Sequence, residues 1–190
     1  MLHLLAFLFL FHSHLTTFTK MVDKVSSSVI RITGVEEEGH FTCTGFVIAA
    51  NRVLTAGHCA GAEMNADGQA ATILKVDEMN DLMLLQVSTA KHALQLRTSP
   101  LVRFEEVTSI GYGFGWTQLT VLHNDVMLVT HIPAMGIAPG IITQTEYIGG
   151  MSGGPVVDSH GRVIGMVQRG GRGTGYGVGT LIMRAFLLGT

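Results

Sequence analysis

Short segments rich in aliphatic and β-branched residues recur along this chain, with glycine, asparagine or aspartate between them. That rhythm limits the fold more than any other feature of the sequence. Residues 29–32, 41–48, 52–55, 71–76 and 82–87 read as strands. After Pro100 the pattern resumes at 107–110, 119–122, 126–130, 141–143, 155–157, 163–167 and 177–182. Strands this short and closely spaced suit a β-sandwich or barrel, not a parallel sheet with crossover helices. No long amphipathic helical period is read; a helical turn after His58 and a short helix over 182–188 are expected. The stretch 91–100 is the best connection between two lobes.

At 190 residues the chain suffices for one compact unit or two small lobes. Only 14% of residues are charged and the formal net charge is −2, so no nucleic-acid partner is expected. Residues 4–11 form an uninterrupted apolar run, too short for a transmembrane helix, which takes roughly 20 apolar residues. The run has the length of a signal-peptide core, although no Lys or Arg precedes it and no small-x-small site follows. Residues 1–20 are read as an apolar N-terminal segment. It is either the signal peptide of a secreted or periplasmic protein or, in a soluble protein (phage and viral ones included), an extension that packs on the domain or stays mobile. No stable membrane insertion is expected.

Chemistry concentrates in three places. Thr55-Ala56-Gly57-His58-Cys59 offers a histidine placed as a base. Asn80-Asp81-Leu82-Met83-Leu84-Leu85 offers an aspartate leading into an apolar strand; Asp77 is the competing carboxylate but lacks that run. Gly150-Met151-Ser152-Gly153-Gly154-Pro155 offers a serine among glycines, where backbone N–H groups can crowd around the hydroxyl. Serine needs a neighbouring base to become a nucleophile. An imidazole titrates near neutrality and suits that work. A carboxylate on the far ring nitrogen fixes the tautomer, and aimed N–H donors hold the oxyanion that forms. The donors here would be Gly150 and Ser152.

Gly150 to Gly154 also fits G-x-S-x-G, the nucleophile elbow of α/β-hydrolases. In that architecture the acid and histidine follow the serine, and too little chain remains after Ser152 to hold them and the rest of such a fold. His, then Asp, then Ser is a different known order. The other histidines (His3, His12, His14, His40, His92, His123, His131 and His160) have no comparable context. Cys43 and Cys59 bracket the segment that ends in His58; one disulfide or two buried thiols both fit this count. No Cys-x-x-Cys or paired-His spacing exists, so no metal is expected, and no organic cofactor is implied.

Taken together, the three motifs resemble those of the chymotrypsin/trypsin-like serine proteases. The likeness runs in order over roughly residues 25–185. Cys43 and Cys59 match the cysteines that this family bonds across its histidine loop. Gly165-Met166-Val167-Gln168, followed by Arg169-Gly170, resembles the strand that pairs with substrate backbone, and Gly177 to Thr180 the opposite pocket wall. The compact length and the segments 111–115 and 142–146 resemble the bacterial, phage, viral or Deg-type branch. The resemblance implies an all-β fold of two six-stranded Greek-key barrels, at 21–95 and 96–190, with the active site in the cleft between them. It implies a serine endopeptidase acting on polypeptides through His58, Asp81 and Ser152. Gln168, Arg169, Gly170 and Gly177 would contact substrate.

Two positions depart from the pattern or extend it. Met151 stands where the family carries Asp or Asn, so the ion pair that an Asp makes with a freed N-terminus is not expected here. Glu146 lies six residues before Ser152, the offset of the base of the primary specificity pocket, and would favour Lys or Arg in the substrate. An alternative in a different class is a non-catalytic binding module on the same scaffold, motivated by Met151 and the short interval from His58 to Asp81; a viral or phage enzyme processing its own polyprotein would share the mechanism and differ only in substrate.

Overall fold

Leu82 to Leu85 are four successive apolar residues, and all four side chains are buried. A strand of that kind must be covered on both faces. It lies inside an antiparallel sheet built from β1 (Val29–Glu36), β2 (Gly39–Ala49), β3 (Arg52–Ala56), β4 (Ala62–Ala66), β5 (Gln69–Ala70), β6 (Thr72–Asp77) and β7 (Leu82–Gln86). The strand order is β5-β4-β1-β2-β3-β7-β6. This computed structural model describes residues 15–132 and 137–189. The apolar run 4–11, with His3, His12 and His14, lies outside the described residues.

The second half forms a closed barrel from β8 (Glu106–Gly111), β9 (Thr120–Ile132), β10 (Ile137–Thr143), β11 (Pro155–Val157), β12 (Val163–Gly171) and β13 (Thr174–Gly179). Its order is β10-β13-β12-β11-β8-β9. The expected all-β, two-lobed architecture is thus present, with one lobe a six-stranded barrel and the other a seven-stranded curled sheet. Glycines let the barrel close tightly. A Cβ on Gly165 would sit 2.7 Å from the Ile141 side chain, and one on Gly177 would sit 2.6 Å from the Met166 carbonyl.

Some boundaries differ from the sequence reading. β4 and β5 were not expected, because Ala62-Glu63-Met64-Asn65-Ala66 contains no β-branched residue; pairing with β1 supplies what propensity does not. The two strands expected at 119–122 and 126–130 are one, β9. The strand expected to reach residue 182 stops at Gly179, where α2 (Thr180–Leu188) begins. A helix, α1, occupies residues 15–26, running through the boundary placed at residue 20. Phe18, Met21, Val22 and Val25 follow the i, i+3, i+4, i+7 spacing of an apolar helical face, a short signal that the sequence reading passed over.

Each terminal helix crosses to the other lobe. α1 leads into β1 of the sheet, yet Phe18 stacks edge-on with His123 of the barrel at 5.8 Å between ring centroids. α2 leaves the barrel and reaches β6 of the sheet, where the Lys75 ammonium donates to the Phe186 carbonyl at 2.8 Å. The connection between the lobes is anchored on both sides. Leu94 N–H donates to the Val47 carbonyl at 2.8 Å, and Arg97 N–H to the Val163 carbonyl at 2.8 Å.

Arg97 also carries a charged cluster. It is 7% exposed and its guanidinium donates to both Glu105 oxygens and to Asp158, itself 2% exposed. Hydrogen bonds from Arg97 hold the Glu105 carboxyl below the usual range, against the opposing effect of burial. Burial pushes Asp158 up, but side-chain and backbone hydrogen bonds from Arg162, with the His160 N–H, outweigh it and leave it low.

A carboxylate with a lowered folded pKa adds stability above its unfolded value, near 4, and loses that contribution as pH falls through the folded value. Unfolding free energy should therefore hold from neutrality to about pH 5 and decline below it. Glu105→Gln should flatten the acid limb of a denaturant titration series. Arg97→Met should cost about 3 kcal/mol, since it strips a partner from buried Asp158.

Cys43 on β2 and Cys59 are joined by a disulfide across a separation of 16 residues. A cross-link over a loop of this size is worth about 3 kcal/mol. Dithiothreitol should lower the thermal midpoint by roughly 6–12 °C for a protein of this length, and an unchanged midpoint would count against the bond.

Candidate active site

Gly57 makes the histidine turn possible. A Cβ there would lie 3.1 Å from Leu82 N and 3.2 Å from the Asp81 carboxylate, so the short 3-10 turn Gly57–Cys59 nests against the start of β7. β3 and β7 pair directly, Ala56 opposite Leu82, and this register brings the residues after β3 beside those before β7. Asp81 takes a left-handed backbone, φ 54°, which turns its side chain toward the histidine. Its Oδ1 accepts from the His58 backbone N–H at 2.7 Å, and its two oxygens lie 3.0 and 2.9 Å from Nδ1. Facing a carboxylate, Nδ1 is the protonated ring nitrogen, which leaves Nε2 as an acceptor. Asp77, the competing carboxylate, instead accepts from the backbone and side-chain nitrogens of Asn80 at 3.0 and 2.7 Å and shapes the turn before Asp81.

Ser152 sits on the turn before β11. Its hydroxyl donates to the Gln168 carbonyl at 3.1 Å, and among the described residues no hydrogen bond joins it to His58. The Gln168 side chain donates to the Asn80 carbonyl at 2.9 Å, tying β12 of the barrel to the residue beside Asp81. His58, Asp81, Ser152, Gln168, Arg169 and Gly170 all line one cleft of about 670 Å³ between the lobes.

The Ser152 turn is held by its carbonyls. Those of Ile148, Gly149, Met151 and Ser152 accept from the N–H groups of Met151, Phe114, Gly154 and Thr44, at 2.7–3.0 Å. The Gly150 carbonyl accepts from the Thr44 hydroxyl at 2.7 Å. The N–H groups of Gly150 and Ser152 have no acceptor among the described residues. Gly150 has φ +96°, and a Cβ there would meet the Tyr112 carbonyl at 2.3 Å. Met151 is fully buried in the barrel core with Tyr147, Val156 and Ile164.

Glu146 is exposed on the cleft wall, where its Oε2 accepts from the Gly173 N–H at 3.0 Å. Gly170 has no room for a side chain, since a Cβ would meet the Tyr147 carbonyl at 2.2 Å and Glu146 Cγ at 2.8 Å. Gly177 is buried between Ile141 and Met166 and does not line this cleft. Glu78, which the sequence reading did not single out, does line it, with the Asp81 side. The sulfurs of Cys43 and Cys59 lie within 4.8 Å of a His58 ring nitrogen, but being bonded to each other they are not thiolate ligands. Among the described residues, no helix is long and apolar enough to cross a membrane.

A family model described as a trypsin-like peptidase domain matches residues 43–166. Solved structures share the fold. The Rv3671c protease from M. tuberculosis in its active form superposes with a TM-score of 0.79 and 23% identity, over 88% of this chain and 82% of that one. The HtrA-type protease AlgW, solved with a tripeptide, gives 0.80 and 21%, over 90% of this chain and 62% of that one. A serine endoprotease from Yersinia pestis gives 0.78 and 15%, over 90% and 65%. No curated protein matches the chain. The family match takes in β2 with Cys43, the His58 turn, Asp81, the Ser152 turn and β12 as far as Met166: the chain belongs to the trypsin-like peptidase family, and it is a serine endopeptidase.

Proposed function

We propose that this endopeptidase cleaves polypeptides through His58, Asp81 and Ser152. The observation that carries the reading is the grip of Asp81 on both the backbone N–H and Nδ1 of His58, in the cleft that Ser152 shares. Rotation of Ser152 about Cα–Cβ would exchange the Gln168 carbonyl for His58 Nε2. Ser152 Oγ then attacks the scissile carbonyl as Nε2 takes its proton. The imidazolium is stabilised by Asp81 and returns the proton to the leaving amine. Water, activated the same way, releases the acyl group. The free N–H groups of Gly150 and Ser152 receive the oxyanion, each worth about 3 kcal/mol in comparable sites.

β12 runs on past Pro155↔Met166, its first pair with β11, and a substrate strand would add alongside that continuation. Main-chain pairing there gives affinity with little reading of side chains. Glu146, exposed on the wall of this cleft, would supply selectivity there by attracting Lys or Arg. The lobes are taken as 21–95 and 96–190, and the Cys43–Cys59 bond supports a secreted or periplasmic setting.

A fluorophosphonate probe should label the wild type and not Ser152→Ala. Asp81→Asn should lower kcat about 10⁴-fold while leaving the fold intact. Activity should disappear in acid, because an imidazolium cannot accept the serine proton. A folded wild type that never reacts with the probe would instead indicate a binding module.

Matched peptides with Arg or Val before the scissile bond test the pocket. Arg should be preferred, and Glu146→Gln should erase the preference. Faster cleavage after Val disposes of the Glu146 assignment.

A further inference from the structure

The two candidate oxyanion donors belong to different peptide planes. Gly150 N–H lies in the 149–150 plane and Ser152 N–H in the 151–152 plane. Their relative aim depends on the plane between them, which carries the Gly150 carbonyl. Gly149 and Gly150 leave this turn soft, since glycine rotates with little steric restraint. Met151 is apolar and fully buried, so it supplies no ionic tether.

The outer planes are pinned by backbone. Phe114 N–H holds the Gly149 carbonyl at 2.7 Å, and Gly154 N–H holds the Met151 carbonyl at 2.8 Å. The central plane is held at its N–H end by backbone, where Met151 N–H donates to the Ile148 carbonyl at 3.0 Å, and at its carbonyl end by one side chain. Thr44 Oγ1 donates to the Gly150 carbonyl at 2.7 Å and accepts from the Tyr112 N–H at 2.9 Å. A backbone N–H can only donate, so the hydroxyl must spend its single proton on Gly150. The direction of the chain Tyr112 to Thr44 to Gly150 is therefore fixed. Thr44 is 0% exposed, so water cannot replace it. Its own backbone is locked at both ends: its N–H donates to the Ser152 carbonyl at 2.8 Å, and its carbonyl accepts from the Thr55 hydroxyl at 2.7 Å. Its β-branch further limits rotation about Cα–Cβ.

We propose that Thr44 is the positioning residue of the oxyanion turn: its hydroxyl holds the carbonyl end of the central peptide plane, whose N–H end is bonded to Ile148, so that Gly150 and Ser152 aim their N–H groups at one point. The role rests on Ser152 being the nucleophile. It also places the device that shapes the barrel's catalytic turn on the other lobe, in β2, one residue from the disulfide.

The test compares Thr44→Val, which keeps the shape and deletes the hydroxyl, with Thr44→Ser, which keeps the hydroxyl. Steady-state kinetics on a peptide substrate should show kcat lowered about 10- to 100-fold in Thr44→Val, less than or comparable to loss of a direct donor. KM should stay within about threefold, because ground-state binding does not use the turned plane. Inhibition by a peptidyl trifluoromethyl ketone, whose adduct carries an oxyanion, should weaken in parallel with kcat. Thr44→Ser should recover kcat to within about threefold of wild type.

Should Thr44→Val not fold by circular dichroism, Thr44→Ala removes the same hydroxyl without placing a methyl against two polar groups. Wild-type kcat in a folded variant lacking the hydroxyl overturns the proposal, as does a Thr44→Ser enzyme no better than Thr44→Val. Ser152→Ala separates the two levels. If it retains full hydrolysis, the nucleophile assignment fails; if it is inactive while Thr44→Val is normal, only the role of Thr44 fails.

Discussion

The structure depends on how closely the Ser152 turn approaches β2 and β3. Gly153, at φ +84°, lies so near the sheet that a Cβ would stand 2.1 Å from the Thr44 carbonyl and 2.2 Å from the Thr55 hydroxyl. Its N–H reaches the other way, to the Val167 carbonyl of β12 at 2.7 Å. One glycine is thus clamped between the lobes. With no side chain in that gap, backbone bonds such as Thr44 to Ser152 can form directly across it. Any larger residue would separate the sheet carrying His58 and Asp81 from the turn carrying Ser152.

Polar groups are used in two distinct ways. Around Arg97, buried Arg97 and Asp158 and half-buried Glu105 engage one another, and they fasten the connection to the barrel. In the cleft, the His58 side chain is 49% exposed and Asp81 26%. The imidazole there is oriented by its neighbours yet exposed, which the proposed proton transfer would require.

What the sequence made legible follows from how local each signal is. His58 and Ser152 stand out because their turns need particular neighbours: Gly57 beside Asp81, and Gly153 and Gly154 against the sheet. Asp81 stands out because β7 follows it, and Asp77 proves to serve Asn80. Thr44 gave no such notice, and Gln168 gave notice only as a substrate contact, not of its bond to Asn80. Their decisive bonds reach Gly150 and Asn80 across 106 and 88 residues, and nothing near either residue marks the partner. β4 was hidden for a related reason, since its pairing with β1 overrides weak local preference. α1 was legible in the spacing of Phe18, Met21, Val22 and Val25, but a short apolar face competes poorly with a long β rhythm.

The crossed helices bear on how the cleft can move. α1 ties the start of the sheet lobe to the barrel, and α2 ties the end of the barrel to the sheet lobe. A hinge that widened the groove would have to peel both straps at once, along with the Val47 and Val163 bonds of the connection. The pair of lobes is thus girdled by contacts from both helices. Under the proposed function, a groove held in this way suits an extended strand better than a folded surface.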